Sequence, residues 1–488
     1  MTAPLHVRLH AEDNVVVLTA KEGTIPAGHK AAAHPIPRGS VIRKFGAAIG
    51  VATTDIPAGA HVHTHNVAYT DMDSPVAAGS VGVSRPDPIA ASFRGYVRDD
   101  GRVGTRNFLG VLTSVNCSAT AARRVAAHFT PDRLPAGVDG VAAFTHASGC
   151  GLSRDGLGLA NLRRTLAGYL RHPNLAGVLL IGLGCEVNGV DDLLDFAGLA
   201  PSDRLRVIRI QVAGGTRETV SAGIEAIESM LPLAAAARRV SVPASHLTIG
   251  LQCGGSDGHS AITANPALGL AVDRLVAAGG AAILSETPEI VGAEPLLLGR
   301  AASPEVAEAL LDRVNWWREH ASRDGATLDS NPSPGNIAGG ITTILEKSLG
   351  AVAKSGSSPL MSVLPYAAPV RGQGLHFMDS PGFDPASATG QIAGGAQLIA
   401  FTTGRGSAFG SKPAPTLKLS SNSDLARRMP DDIDLDCGRL LTGEASLEEL
   451  GDEIFAALLA AASGRRTRSE EEGLGDHEFV PWTPGATY

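Results

Sequence analysis

The sequence has few aromatic residues and little excess charge, and each shortage excludes a class of protein. Phenylalanine, tryptophan and tyrosine make up 4% of the 488 residues, whereas glycine occurs 58 times. This composition favours an enzyme with many tight turns between strands and helices over a β-sandwich. The formal net charge is −8 and there is no basic block, which argues against a nucleic acid partner but leaves small anions open.

Targeting signals, nucleotide motifs and disulfide patterns are missing as well. No uncharged apolar stretch approaches the roughly 20 residues of a membrane span, and residues 1–14 lack the basic and apolar regions of a secretory signal. GLGCE and GGSDG do not complete G-x-G-x-x-G, and there is no GK[ST]. The five cysteines are an odd number without compact spacing. We therefore expect a cytoplasmic protein without a membrane partner, whose cysteines are thiols or metal ligands.

The order of apolar runs and turns divides the chain into several regions. Residues 1–72 alternate short apolar runs with Pro-Gly turns, which predicts a small β domain. Residues 73–92 are rich in Pro, Gly, Ser and Asp, as in a linker. Strands then alternate with amphipathic helices, which predicts parallel α/β units. We assign a first α/β domain to 93–235 and a second to 236–488, the latter ending in a helix and a tail.

Four cysteines follow apolar runs that predict strands. These runs are FLGVLTSVNC, GVAAFTHASGC, AGVLLIGLGC and LTIGLQC, which end at Cys117, Cys150, Cys185 and Cys253. Because the carboxyl ends of parallel strands meet at one edge of a sheet, we expect the four thiols to converge on a crevice. They would suit a mononuclear iron, or a cluster held by three thiolates with one iron open. The alternative is that they are small buried apolar residues, which we expect of Cys437.

A histidine-rich segment offers a competing metal site. In HVHTHN, His61, His63 and His65 alternate, so an extended segment would place all three on one side. With His29 of IPAGHK they could supply nitrogen ligands to iron, or a base for proton abstraction. A solvated strand edge with fortuitous histidines is the alternative.

Several long motifs resemble one family. GYVRDDGRVGTRN, HASGCG, GLQCGGSDGHSAITANPALG, ETPEIVGAEPLLLGRA, NPSPGN and TTGRGSAFGSKPAPTLKLSSN together resemble the altronate and galactarate dehydratases, which act on sugar acids. The N-terminal IPAGHK and IPAGAHVHTHN are similar to the small β-clip (SAF) domain of that family. The resemblance places His29, His63 and His65 in family motifs and leaves His61 outside them.

The resemblance implies an iron-dependent hydro-lyase that converts a hexonate or hexarate to a 2-keto-3-deoxy acid. A related branch, the sulfolactate sulfo-lyases, expels sulfite instead of water, typically with the two regions as separate subunits. The fusion of both regions here favours the sugar-acid branch. A protein of another class, which binds metal or sugar acid without catalysis, remains an alternative. A homodimer is compatible with an α/β enzyme of this size, but no interface is visible in the sequence.

Substrate and proton-transfer residues complete the prediction. A carboxylate substrate needs fixed positive charge, and basic residues stand in glycine-rich turns at Arg102, Arg106, Arg405 and Lys412. Carboxylates and a histidine lie close to the cysteines, at Glu186, Asp257 and His146. We consider these three for proton transfer together with the histidines of the β domain. Asp257 could equally cap the helix that follows it.

Overall fold

The computed structural model describes residues 5–70, 86–323 and 325–486. It shows a small strand-rich N-terminal unit followed by a larger α/β body, so the predicted fold class is confirmed. The segment predicted as a linker, 73–92, lies largely outside the described residues. Within these ranges, no helix is both long and apolar enough to cross a membrane.

The N-terminal unit consists of two small antiparallel sheets. Their orders are β1-β2-β3-β6 and β4-β5-β7. Apolar residues such as Val15, Ile42, Ile49 and Val62 fill the space between the sheets and are at most 1% exposed. The strands are β1 (His6–Val7), β2 (Val15–Leu18), β3 (Lys30–Ala32), β4 (Val41–Lys44), β5 (Ala47–Ala52), β6 (His61–Val62) and β7 (Val67–Ala68).

The second unit is built on a four-stranded parallel sheet of order β11-β10-β12-β13, beside the antiparallel sheet β14-β8-β9. Its strands are β8 (Ser92–Val97), β9 (Val103–Gly104), β10 (Phe108–Thr113), β11 (Gly140–Phe144), β12 (Leu175–Gly182), β13 (Leu205–Arg209) and β14 (Arg239–Pro243). Its helices are α1 (Ala119–Ala127), α2 (Leu157–Leu170), α3 (Val190–Ala197), α4 (Ile210–Ala213) and α5 (Thr216–Ala236). β12 is buried along its whole length, because helices cover both faces of a parallel sheet.

The third unit contains a seven-stranded parallel sheet of order β17-β18-β16-β15-β19-β20-β21. Its strands are β15 (Thr248–Cys253), β16 (Ala281–Ser285), β17 (Leu360–Leu364), β18 (Gly374–Met378), β19 (Leu398–Thr403), β20 (Thr416–Ser420) and β21 (Leu435–Asp436). Its helices are α6 (Ala264–Ala277), α7 (Glu294–Leu298), α8 (Pro304–Arg323), α9 (Pro334–Ala338), α10 (Ile344–Ala353), α11 (Asp384–Ala393), α12 (Ser423–Arg428), α13 (Arg439–Thr442), α14 (Leu447–Ala462) and α15 (Arg468–Glu471).

The polar C-terminal segment packs back onto the second unit. Phe479 is buried against Tyr169, with the ring centroids 4.7 Å apart. Glu470 of α15 forms a two-point ion pair with the buried Arg106 at 2.6 and 2.7 Å. The end of the chain therefore joins the two α/β units to each other.

Candidate active site at the histidine cluster

The N-terminal unit docks onto the third unit through a tight backbone contact. A Cβ atom at Gly258 would lie 1.8 Å from the carbonyl oxygen of Gly28, so only glycine fits at Gly258. The His259 Nε2–H donates to the Leu18 carbonyl at 2.9 Å. This contact brings the segment carrying His29 against α9, where the His29 Nε2–H donates to the Ala338 carbonyl at 3.2 Å.

Three histidines of the N-terminal unit form a compact group beside this contact. The ligand atoms of His29, His61 and His63 all lie within 4.8 Å of one another. Among the described residues, no other group of three or more His, Cys, Asp or Glu side chains is close enough to hold one metal ion. Burial lowers the pKa of His61 and of His63 to about 4 and lowers the pKa of His29 as well. The imidazoles are therefore neutral at physiological pH, which is the form that binds metals.

The hydrogen bonds around the group also suit a metal site. Because His29 Nε2 donates to Ala338, its Nδ1 keeps a lone pair, and this atom lies 3.0 Å from His61 Nε2. A hydrogen bond from one ring nitrogen to a backbone carbonyl fixes the tautomer of a histidine whose other nitrogen binds metal. His63 Nδ1 is buried and has no hydrogen-bond partner in the part of the chain that the structure describes. The donor set fits a divalent metal that prefers imidazole, ferrous iron included.

The structural group differs by one member from the set chosen by sequence. His61 belongs to it, whereas His65 is exposed and lies at its border, 5.4 Å from the His61 ring. The expectation of an extended segment is wrong, because β6 ends at Val62, but the rings of His63 and His65 still lie 5.2 and 5.4 Å from the His61 ring. The chain then turns, with Asn66 Oδ1 accepting a hydrogen bond from the His63 backbone N–H.

A buried ion network lies directly behind the histidines. Glu346 of α10 accepts hydrogen bonds from Lys30 Nζ at 2.8 and 3.0 Å and from Lys44 Nζ at 2.8 Å. All three side chains are at most 2% exposed. The lysines hold the pKa of Glu346 far below its ordinary value despite its burial. Burial lowers the pKa of Lys30 to about 8, against the opposing attraction of Glu346.

A second buried network continues from this point along the carboxyl edge of the seven-stranded sheet. Lys347 donates to Glu289 at 2.7 Å. Glu286 is buried in a left-handed backbone conformation with φ of 72°, which is strained for a residue with a side chain. Burial, followed by repulsion from Glu289, raises the pKa of Glu286 well above its ordinary value. Burial likewise raises the pKa of Asp384 to about 6.

The four cysteines expected in one crevice lie on two different sheets. Cys117, Cys150 and Cys185 follow β10, β11 and β12 of the second unit, whereas Cys253 ends β15 of the third. The expectation of one shared edge is wrong because the chain begins a new sheet after β14. Cys253 is buried and its Sγ lies 2.6 Å from Ser256 Oγ.

The predicted proton-transfer residues are divided between the same two edges. Asp257 lies beside the histidine cluster, where its carboxylate accepts the backbone N–H groups of His259 and Ser260 and the Ser421 hydroxyl. The expectation that it caps the following helix is wrong, because Thr263 is the N-cap of α6 and Asp257 bonds to the turn before it. His146 and Glu186 belong to the second unit instead. His146 Nε2–H donates to the Thr113 carbonyl at 3.0 Å, and Glu186 accepts the Ser114 hydroxyl at 2.5 Å.

The four basic residues predicted to bind substrate do not come together. Arg405 is exposed at the carboxyl edge of the seven-stranded sheet, with its backbone N–H bonded to the Gly255 carbonyl. Arg106 precedes β10 and is enclosed by its pair with Glu470. Lys412 pairs with Asp476 at 2.5 Å. Arg102 pairs with Asp100 and lines a cleft of about 1150 Å³ at the opposite, amino-terminal edge of the strands.

Several residues of the site were not found from the sequence. Lys30 directly follows His29 in IPAGHK, so the motif itself contained a signal for it. Lys44 and Glu346 stand 302 positions apart and meet only through the docking of the two units. No local pattern marks either of them as buried and charged, because buried lysine and glutamate are rare unless paired.

Comparisons with known proteins agree along the whole chain. Residues 8–70 match the altronate/galactarate dehydratase SAF domain, 95–235 the second domain of D-galactarate dehydratase/altronate hydrolase, and 244–487 the D-galactarate/altronate dehydratase C-terminal domain. The altronate dehydratase of Escherichia coli is 37% identical over 99% of both chains. The altronate dehydratase of Bacillus subtilis is 34% identical, over 95% of this chain and 96% of its own. The galactarate dehydratase (L-threo-forming) of Escherichia coli is also 34% identical, over 96% of this chain and 95% of its own. This chain therefore belongs to the altronate/galactarate dehydratase family.

Proposed function

We propose that this protein is a hydro-lyase that removes water from a six-carbon sugar acid of the altronate or galactarate type and releases a 2-keto-3-deoxy acid. Membership of the family supports the reaction class. The observation that carries the proposal is the group of three neutral histidines, His29, His61 and His63, at the contact between the N-terminal unit and the third unit. A dehydratase for such acids needs groups that stabilise the charges that develop in the reaction, and a bound metal ion can do so.

The chemistry explains the need. A proton α to a carboxylate is very weakly acidic, and hydroxide is a poor leaving group, so both charges that develop require stabilisation. We assign His29, His61 and His63 as the residues that would hold ferrous iron. When bound, the iron would supply Lewis-acid stabilisation for the carboxylate and hydroxyl oxygens of the substrate.

The remaining steps fall to side chains of this protein. His65 stands exposed at the border of the histidine group, and we assign it as the base that takes the α-proton. Arg405, exposed at the carboxyl edge of the seven-stranded sheet, is our candidate for gripping a substrate carboxylate. Burial, followed by repulsion from Glu289, raises the pKa of Glu286 well above its ordinary value, which favours the protonated carboxyl, so we assign it as the proton donor to the leaving hydroxyl.

The test is a substrate screen with full-length protein prepared anaerobically with ferrous iron. Hexonates, hexarates and sulfolactate are each incubated with the protein, and 2-keto acid and sulfite are measured separately. We expect a 2-keto-3-deoxy acid from one of the sugar acids. If sulfolactate released sulfite and no sugar acid were turned over, the protein would be a sulfo-lyase and the proposed dehydration would be wrong. Binding of sugar acid without turnover would indicate a non-catalytic protein.

A paired variant separates the metal site from the rest of the fold. The double variant H61A/H63A removes two of the three nitrogen donors and should lose both bound iron and turnover. His34 is an exposed histidine of the same unit outside the cluster, so H34A is the matched control and should keep both. Turnover that persists after complete removal of metal would contradict the assignment.

A further inference from the structure

The carboxyl edge of the four-stranded sheet carries a second group of metal-ligand side chains. Strands β11, β10 and β12 are neighbours in the sheet and run parallel. They are followed by Cys150, Cys117 and Cys185, and all three thiols are exposed. Neighbouring strands are about 4.8 Å apart, so three adjacent strands deliver these side chains to one short stretch of sheet edge.

The three cysteine-bearing loops are bonded to one another. The Asn116 backbone N–H donates to the Ser148 carbonyl at 2.8 Å, and the Asn188 backbone N–H donates to the Gly149 carbonyl at 3.0 Å. Asn188 Nδ2 also donates to the Ser114 carbonyl at 3.0 Å. Gly149 has φ of 104°, and a Cβ atom there would lie 2.4 Å from the Ser114 carbonyl oxygen. The positions of the loops are therefore tightly fixed before any ligand binds.

Two polar side chains stand among these loops. The Oδ1 atom of Asn188, whose side chain is fully buried, has no hydrogen-bond partner in the described parts of the chain. Gln211 Nε2 donates to Cys185 Sγ at 3.4 Å, and such bonds to sulfur tune metal–thiolate centres. The cysteines also lie in the segments that connect β10 to α1, β11 to α2 and β12 to α3.

We propose that Cys117, Cys150 and Cys185 hold an iron–sulfur cluster, at a site separate from the histidine cluster. Three thiols cannot pair completely as disulfides, and thiolates are the ligands that iron–sulfur clusters take. The three cysteines do not form a group close enough for a single ion, as the histidines do. A cluster spans a wider set of thiolates because bridging sulfides separate its irons. Three protein ligands would leave one iron open to an exogenous ligand.

The test measures iron and acid-labile sulfide in full-length protein purified anaerobically and reconstituted with iron and sulfide. We expect stoichiometric sulfide in the parent protein and a loss of at least about tenfold in each of C117S, C150S and C185S. Cys437 is buried in the third unit, so C437S controls for the loss of a thiol and should keep the sulfide. The H61A/H63A variant should also keep it, which separates this proposal from the metal assigned to the histidines.

Alkylation of the parent protein keeps the test independent of whether the variants fold. Cys117, Cys150 and Cys185 are exposed, whereas Cys253 and Cys437 are buried, and burial raises the pKa of Cys437 to about 12. We expect three thiols to be protected from iodoacetamide in the reconstituted protein and to react after the metal is stripped. Equal reactivity before and after stripping would overturn the proposal. So would stoichiometric zinc in place of iron, or sulfide retained in the triple variant C117S/C150S/C185S.

Discussion

The Glu346→Gln variant isolates the energetic role of the buried ions behind the histidine cluster. Glu346 is the shared counter-charge of Lys30 and Lys44, and the three side chains are 2%, 0% and 1% exposed. Glutamine keeps the shape of the side chain but leaves two buried ammonium groups without their carboxylate. Breaking a buried pair in this way costs about 3–5 kcal/mol. We expect a loss of this size in the free energy of unfolding at neutral pH.

Chemical denaturation measures this loss of unfolding free energy, which is obtained from the transition midpoint and from the slope of the free energy with denaturant concentration. Glu12 is an exposed carboxylate of the N-terminal unit, so E12Q is the control and should change stability by less than about 0.5 kcal/mol. The triple variant K30M/K44M/E346L removes all the charges at similar volume and should recover most of the loss, because a complete buried ion network is often neutral against apolar residues. An E346Q midpoint equal to that of the parent would refute the reasoning.

The free energy of unfolding should depend on pH differently in the parent protein and in E346Q. In the parent, the pKa of Glu346 is held far below its ordinary 4.5. Its contribution to stability is therefore present above pH 4.5 and is lost as the pH falls further. A lysine whose folded pKa is below its ordinary 10.5, as for Lys30, binds fewer protons folded than unfolded between the two values. Stability then rises with pH in that window. Without Glu346 the pKa of Lys30 is lowered further, so this rise is larger in E346Q. The difference in unfolding free energy between E346Q and the parent should therefore become smaller as the pH approaches 10.5.

Three further variants test individual roles. H61A should weaken iron binding by about 10–100-fold, whereas H65A should keep iron and lose kcat; equal iron loss in both would contradict the assignment. E286Q removes the proposed proton donor and should lower kcat by about 100-fold at unchanged iron content, measured by initial rates and metal analysis. R106K should lower the thermal midpoint because it breaks the two-point pair with Glu470, and it should leave the substrate KM unchanged. A raised KM at unchanged stability would instead support the original prediction that Arg106 binds substrate.

The strands and helices were largely predictable because their patterns are local. The apolar runs in FLGVLTSVNC and LTIGLQC form β10 and β15, and the helix expected near the end of the chain is α14, with Ser446 as its N-cap. None of the apolar runs named above corresponds to β18 or β20. β20 reads TLKLS, and its Lys418 is fully buried with its Nζ on Asp432 and the Ser407 carbonyl. A charged residue inside a buried strand conceals the apolar pattern, and only its distant partners explain it.

The candidate site was predictable only in part, since residue types can be read locally but convergence cannot. The histidine-rich motif was visible, yet the end of β6 at Val62 determines that His61 enters the group and His65 stays at its border. The cysteines at strand ends were visible too. Which of them share a sheet depends on strand order, and that order places Cys253 apart from the other three.

The Glu346→Gln variant should also weaken iron binding, although Glu346 is not one of the assigned ligands. Its negative charge acts on His29 and His63 through space, opposing the positive charge of Lys30. Without it, the positive charge of Lys30 acts on the histidines with no compensation, and a divalent cation is repelled. We expect about a tenfold or greater loss of iron affinity, whereas the uncharged K30M/K44M/E346L variant should bind iron close to the parent. If folded E346Q bound iron with the same affinity as the parent, the ion network would act only on the docking of the N-terminal unit onto the third unit. Its electric field would then not affect metal binding by the histidines.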